Sequence, residues 1–350
     1  MIRDALAKIV ALESLSFQEA QDAFAEIFEA HATPAQIAAF LTALSIKGET
    51  EDEIAALASV IRSHARTLHV KGDFVGMELE DDPIVDTCGT GGSCVNKFNI
   101  STASAFIVSA ASIKVAKHGN RAMTSNCGSA DAFEALGIAV DVDPAQMEQA
   151  IKQIGIGFLF APLYHLSLKE IAMIRKEIGI KTIFNIVGPL CNPAQATHQV
   201  LGVHTKELVP VLARVLKTLG TKKAFVVHGQ DTKDEISLTG KTYVAYLNNK
   251  KIEQYTVSPS DFGLKKISLS DIQVADVRES AQRIIEIFKG KPGPCRDVAV
   301  ANAAACMFIV GKAKTLKEGV KLCARLIDEG KVLAKFNEFK DFIKSHKGTA

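Results

Sequence analysis

The chain has 350 residues, of which 47% are hydrophobic and only 6% aromatic, with no tryptophan. That length suits two domains or one large one, with a core built from Ala, Ile, Leu and Val. The net charge of +2 gives no bulk basic field for nucleic acid or an anionic membrane, and no run of about 20 apolar residues is available for a membrane span.

The N-terminal MIRDALAKIV is amphipathic and carries Asp4, so it lacks the uninterrupted apolar core of a signal peptide. Seven cysteines, an odd number without a C-x-x-C pair, fit reduced thiols and a cytoplasmic setting. Cys88, Cys94 and Cys127 read as small buried hydrophobes.

Residues 1–70 read as helices. Ser16 with Glu19 and Thr50 with Glu53 have the spacing of capping boxes. Thr33-Pro34 is an N-cap followed by proline at the first helical position, and Gly48 is a stop signal. Residues 71–82 are polar and acidic, as in a linker. From 83 the pattern changes. Residues 83–88 form an apolar run, a buried-strand signal, and Gly89, Gly91 and Gly92 then free the backbone to bend close to a ligand. Asn99 and Ser101 are candidate caps of an Ala/Ser-rich helix. Residues 112–116 read as a second strand, running into Lys117-His118-Gly119-Asn120-Arg121, and another helix starts at Ser129.

Further on, 138–142 and 156–161 read as strands, with a helix opened by Asp143-Pro144 between them. Residues 169–176 form a helix bearing Arg175. Strands are predicted at 199–203 and 223–227 around a helix at 207–219, and 242–257 as a hairpin about Asn248-Asn249. Residues 276–343 are mostly helical, interrupted at Gly293 and Gly330. Internal repeats and low-complexity segments are absent.

Two strand ends rich in Gly, Ser, Thr, Asn, Lys and His suggest one polar site at the carboxyl edge of a sheet. The glycine turn is neither a P-loop nor a G-x-G-x-x-G fingerprint. Backbone N–H groups in such a turn, together with a helix N-terminus, make an anion site. Asp234-Glu235, on a loop after a strand, are adjacent carboxylates of the kind that hold magnesium.

Asp86-Thr87-Cys88-Gly89-Thr90-Gly91-Gly92, Asn99-Ile100-Ser101-Thr102, Lys117-His118-Gly119-Asn120-Arg121 and Gly128-Ser129-Ala130-Asp131 resemble, in order and spacing, the anthranilate phosphoribosyltransferases. The likeness runs on through residues 181–190 and Asn192-Pro193. It implies a small all-helical N-terminal domain plus a larger α/β domain, with a mainly parallel central sheet flanked by helices. It also implies discontinuous domains: 1–71 with about 168–194 as the helical, dimerising unit, and 72–167 with 195–350 as the α/β unit.

The resemblance further implies roles. Gly89, Gly92, Ser93, Lys97, Asn99, Ser101, Thr102, Lys117, Ser125 and Ser129 would hold 5-phosphoribosyl 1-pyrophosphate. Gly89, His118, Asn120, Arg175 and Pro189 would face anthranilate. Ser101, Asp234 and Glu235 would hold magnesium. An aromatic amine, uncharged at neutral pH, would displace pyrophosphate at C1 of the ribose without a strong general base; His118 is the candidate if there is one. A homodimer is implied, and neither a nucleic-acid nor a membrane partner.

Several positions depart from the family pattern. Ser93 stands in place of an Asp, and Lys97 in place of a small hydroxyl residue. Asn126 and Cys127 replace a common Lys-Ser pair, and Thr232-Lys233 occupy the Gly-hydrophobic step before Asp234. Lys97 is expected nearer the pyrophosphate. These changes leave open a paralogue with another aromatic amine or a nucleobase as acceptor, including a pyrimidine nucleoside phosphorylase-like enzyme. A nucleic-acid-binding relative fits less well, because Asp234-Glu235 are retained.

Overall fold

The structure, a computed structural model, describes residues 1–70, 82–92, 95–122 and 128–346. The expectations for Ser93, Cys94, Ser125, Asn126, Cys127 and the linker at 71–81 lie outside the described residues.

Four helices come first: α1 (Ile2–Val10), α2 (Phe17–Phe28), α3 (Pro34–Lys47) and α4 (Glu51–Ser63). The predicted capping boxes at Ser16 and Thr50 are formed, and Thr33 makes a further one with Gln36. Gly48 ends α3 at φ 87°, a conformation that favours glycine.

The α/β part then runs β1 (Ile84–Gly89), α5 (Ile100–Ser109), β2 (Lys114–Gly119), α6 (Ser129–Ala135), α7 (Pro144–Gln153), β3 (Ile156–Phe160), α8 (Ala161–Tyr164), α9 (Leu168–Ile178), α10 (Phe184–Val187), β4 (His198–Gly202), α11 (Leu208–Thr218), β5 (Lys223–Gly229), β6 (Thr242–Asn248) and β7 (Lys251–Val257). Helices α12 (Val277–Phe288), α13 (Pro294–Ile309), α14 (Leu316–Asp328) and α15 (Lys331–His346) complete it.

One seven-stranded sheet has the order β3-β2-β1-β4-β5-β6-β7. Its first five strands pair in parallel and its last two antiparallel. The hairpin turns at Asn249, as expected, with φ 56°. In the parallel part, strand order reverses between β1 and β4. Their carboxyl ends, Gly89 and Gly202, are paired, and that is where a doubly wound sheet opens a crevice for ligand.

Both sheet faces are covered. On one, the ring of Phe106 meets Phe133, Phe288, Phe336 and Phe339. On the other, Leu57 of α4 and Leu212 of α11 share a buried cluster with Leu201 and Val226 of the sheet. Ile171 of α9 and Phe184 of α10 belong to this cluster, so the segment carrying Arg175 lies against the helical layer.

Three readings need correction. Residues 138–142 do not form a strand. Ile138, Val140 and Val142 are buried, which produces the alternating pattern, but they pack as a loop without a ladder partner. The cap of α5 is Asn99 alone, its Oδ1 accepting from the Thr102 N–H at 3.1 Å; Ser101 already lies inside the helix. Strand β2 also starts two residues later than expected, so Lys117 and His118 are strand residues rather than loop residues. No helix among the described residues is long and apolar enough to cross a membrane.

Candidate active site

A cavity of about 360 Å³ opens at the carboxyl edge of the sheet between β1, β2, β4 and the α9–α10 segment. Its size is that of a small-molecule site.

One end is built by the glycine turn. Gly91 and Gly92 have φ 67° and 76°, so the turn after β1 folds back without steric cost. The Thr90 N–H donates to the Gly202 carbonyl, and the Thr90 hydroxyl lies 3.0 Å from His204 Nδ1. Asn99 and Ser101 line the cavity at the start of α5, and Ser129 lines it at the start of α6. Two helix N-termini therefore face the same space, with the Thr102 N–H held by Asn99 and the Ala130 N–H by the Asn120 carbonyl.

Asp234 and Glu235 enter from the turn after β5. That turn closes as a bridge between Gly229 and Lys233, with Lys233 at φ 63°. A Cβ on Gly202 would come within 1.8 Å of the Asp234 carbonyl oxygen, so only glycine lets β4 pass so close. Asp234 Oδ1 accepts from the Lys97 ammonium at 2.6 Å. Glu235 is pushed up to about 8, first by burial; Lys97 and Lys117 pull it down and Asp234 pushes it further up.

Lys117 sits beneath this end. It is fully buried and does not line the cavity. Its ammonium donates to the Thr87 carbonyl and, at 3.0 Å, to the Ser101 hydroxyl. Burial lowers its pKa, and neighbouring Asp86 raises it. Asp86 is itself pushed up to about 6 by burial, while holding Asn192 Nδ2 at 2.8 Å and the His118 N–H at 3.2 Å. Thr102 is likewise buried away from the cavity, with its backbone N–H used by the cap.

The other end is formed by His118, Asn120, Arg175, Gly188 and Pro189. The Arg175 guanidinium lies 5.1 Å from the centre of the Phe184 ring, which fixes it over an aromatic face. His118 and His165 meet edge to face, with their Nε2 atoms 3.3 Å apart. Burial and then His165 hold His118 well below the ordinary histidine range, and burial takes His165 down to about 4. Both rings are neutral at pH 7.

Of the described candidates, Gly89, Gly92, Lys97, Asn99, Ser101, His118, Asn120, Ser129, Arg175, Pro189, Asp234 and Glu235 meet around one cavity, and Thr102 and Lys117 stand behind it. His204 and Lys181 line it too and were not anticipated. His204 could have been found, because it follows β4, the strand beside the glycine turn. Cys88 is buried and takes a hydrogen bond from Gln199 Nε2. It and the other cysteines among the described residues are free.

Comparison with known proteins points to one group. Residues 3–65 match the helical bundle domain, and residues 81–333 the a/b domain, of a glycosyl transferase family. The chain is 49% identical over 335 residues to the anthranilate phosphoribosyltransferase of Citrifermentans bemidjiense, covering 94% of this chain and 95% of that one. The crystal structure of the Thermus thermophilus anthranilate phosphoribosyltransferase superposes with a TM-score of 0.89 at 34% identity, over 97% of this chain and 99% of that one. The Saccharomyces cerevisiae anthranilate phosphoribosyltransferase in complex with PRPP and Mg gives 0.87 at 28% identity, over 98% of both chains.

Proposed function

The chain belongs to the anthranilate phosphoribosyltransferases, and on that premise we propose that it transfers the phosphoribosyl group of 5-phosphoribosyl 1-pyrophosphate to the amine of anthranilate, releasing pyrophosphate, as a step of tryptophan biosynthesis. The observation that carries this reading is the two-ended cavity. Its glycine-turn end supplies anion donors and two carboxylates, and its other end supplies a half-buried guanidinium beside an aromatic ring.

The donor's phosphates are held by the N–H groups of the turn and of the α5 and α6 N-termini, with the hydroxyls of Ser101 and Ser129. Lys117 acts from below by fixing Ser101. The pair Asp234-Glu235 with Ser101 offers hard oxygen donors only, which fits magnesium. Among the described residues no group of three His, Cys, Asp or Glu gathers for a metal, so phosphate oxygens and water would complete the shell. When bound, magnesium supplies charge stabilisation for the departing pyrophosphate.

Arg175 pairs with the anthranilate carboxylate, and Asn120, Pro189 and His118 set the ring. His118, neutral and buried, is a poor proton acceptor at neutral pH. Catalysis then rests on positioning and electrostatics, as an uncharged aryl amine nucleophile permits.

The reading extends to organisation. Residues 1–71 with about 168–194 form a helical domain, supported by the packing of α9 on α3, and 72–167 with 195–350 form the α/β domain. The exposed Ile46, Met173 and Ile180 on the helical layer support a homodimer through it. The cytoplasm is the matching compartment for such a biosynthetic enzyme.

The test is donor-dependent loss of anthranilate fluorescence with magnesium present. Consumption supports the reading. Folded protein that consumes an aromatic amine without the carboxylate equally well, or a nucleobase instead, overturns the acceptor assignment.

A further inference from the structure

Lys97 is launched from a fixed backbone. It forms an antiparallel bridge with Gln273, the Phe98 N–H donates to the Ile272 carbonyl at 3.1 Å, and the Val274 N–H donates to the Asn96 carbonyl at 3.1 Å. Phe98 beside it is 1% exposed. From this anchor the Lys97 ammonium crosses to Asp234 Oδ1 at 2.6 Å, with side chains only 9% and 12% exposed. The partner is equally fixed. Asp234 follows the Gly229–Lys233 bridge, and its backbone presses on Gly202. A pair so shielded from solvent is not a loose surface contact that water and salt would screen away.

The carboxylate so occupied is one of the two assigned above to the metal. An ammonium in contact with one oxygen of a carboxylate draws on the same negative charge a divalent ion would use, and the like charges of the two cations repel at neighbouring positions. A small hydroxyl residue, which the family pattern places at 97, would exert neither effect.

Resting on the reading of Asp234-Glu235 as the metal pair, we propose that Lys97 is a built-in cation of this site: it occupies Asp234 in the donor-free protein, weakens the hold of a divalent ion there, and so makes metal entry depend on the pyrophosphate that comes with the donor. The pyrophosphate offers the ammonium a second anion. When it arrives, Lys97 can leave Asp234 without losing an ionic partner, and the carboxylate is freed for the metal. A tie between two loops would account for the same bond, but it would not govern metal affinity.

The experiment is titration of the donor-free protein with Mn2+, following free Mn2+ by electron paramagnetic resonance. Lys97→Met removes the charge at similar length, and Lys97→Gln is a second neutral variant should the first not fold. Lys97→Arg keeps the charge. The neutral variants are expected to bind Mn2+ about tenfold or more tightly than wild type, the effect of one pK unit of charge interaction, with Lys97→Arg remaining weak. Neutral variants that bind no tighter than wild type, or show no binding at all, overturn the proposal. No substrate is present, so this result stands apart from the anthranilate assay that tests the activity.

Discussion

The buried ammonium of Lys117 donates to the hydroxyl of Ser101 at 3.0 Å, so a cation outside the cavity orients a group inside it. Replacing Lys117 by Met leaves the Thr87 carbonyl without its donor, a loss of about 1–3 kcal/mol. The nearby Asp86 carboxyl, already near 6, rises further without the ammonium and takes up a proton at pH 7, which spares the fold an unpaired buried charge. Urea unfolding should therefore show a weakened but cooperative protein, and the donor KM should rise about tenfold as Ser101 loses its orientation.

Gly202→Ala drives a Cβ into the Asp234 carbonyl. The turn must move, at an overpacking cost of about 1–3 kcal/mol. Stability and donor-dependent turnover should fall together, whereas Gly220→Ala, at φ 82° with nothing within 4 Å of its Cβ, should lose stability without losing donor affinity.

His198 lies in β4 on the sheet, and burial, then Lys223 and Lys222, hold it down to about 4. The unfolded chain protonates this ring near 6.5 while the folded one does not, so its contribution is fully present above 6.5 and is lost as pH falls towards 4. Asp86, raised to about 6, works the other way, its contribution being lost as pH rises from 4 to 6. Comparing variants separates the two. His198→Gln should shrink the stability difference between pH 7 and pH 4.5 by about 1–2 kcal/mol in denaturant titrations.

Arg175→Gln should raise the anthranilate KM about tenfold or more, with the donor KM unchanged, since the guanidinium lies beside Phe184 and not at the glycine turn. Arg175→Lys should recover part of the loss, because it keeps charge without the planar fork. Steady-state kinetics with each substrate varied in turn would show this split, and a change confined to the donor would contradict the assignment.

What could be read from the chain followed range. The caps at Ser16, Thr33, Thr50 and Asn99 and the turn at Asn249 are set by residues three or four apart, so local chemistry announces them. The glycine turn and Asp234-Glu235 were legible as strand ends. Residues 138–142 misled because a buried loop can alternate like a strand. Lys117 was read as holding the donor because the strand was expected to end at residue 116, whereas β2 runs on to Gly119 and keeps Lys117 within the sheet. The Lys97–Asp234 pair joins residues 137 apart in sequence, and no local pattern encodes such a meeting. His204 was legible as the residue that follows β4, but its partner Thr90 lies across the β1–β4 boundary.

The central claim is that this cavity joins phosphoribosyl donor to anthranilate with loss of pyrophosphate. The most direct measurement follows anthranilate fluorescence and pyrophosphate release together, with magnesium and both substrates present. The account predicts one pyrophosphate released for each anthranilate consumed, and neither event when donor or anthranilate is omitted. Pyrophosphate release that proceeds unchanged without anthranilate, or folded protein that leaves anthranilate untouched, would contradict it.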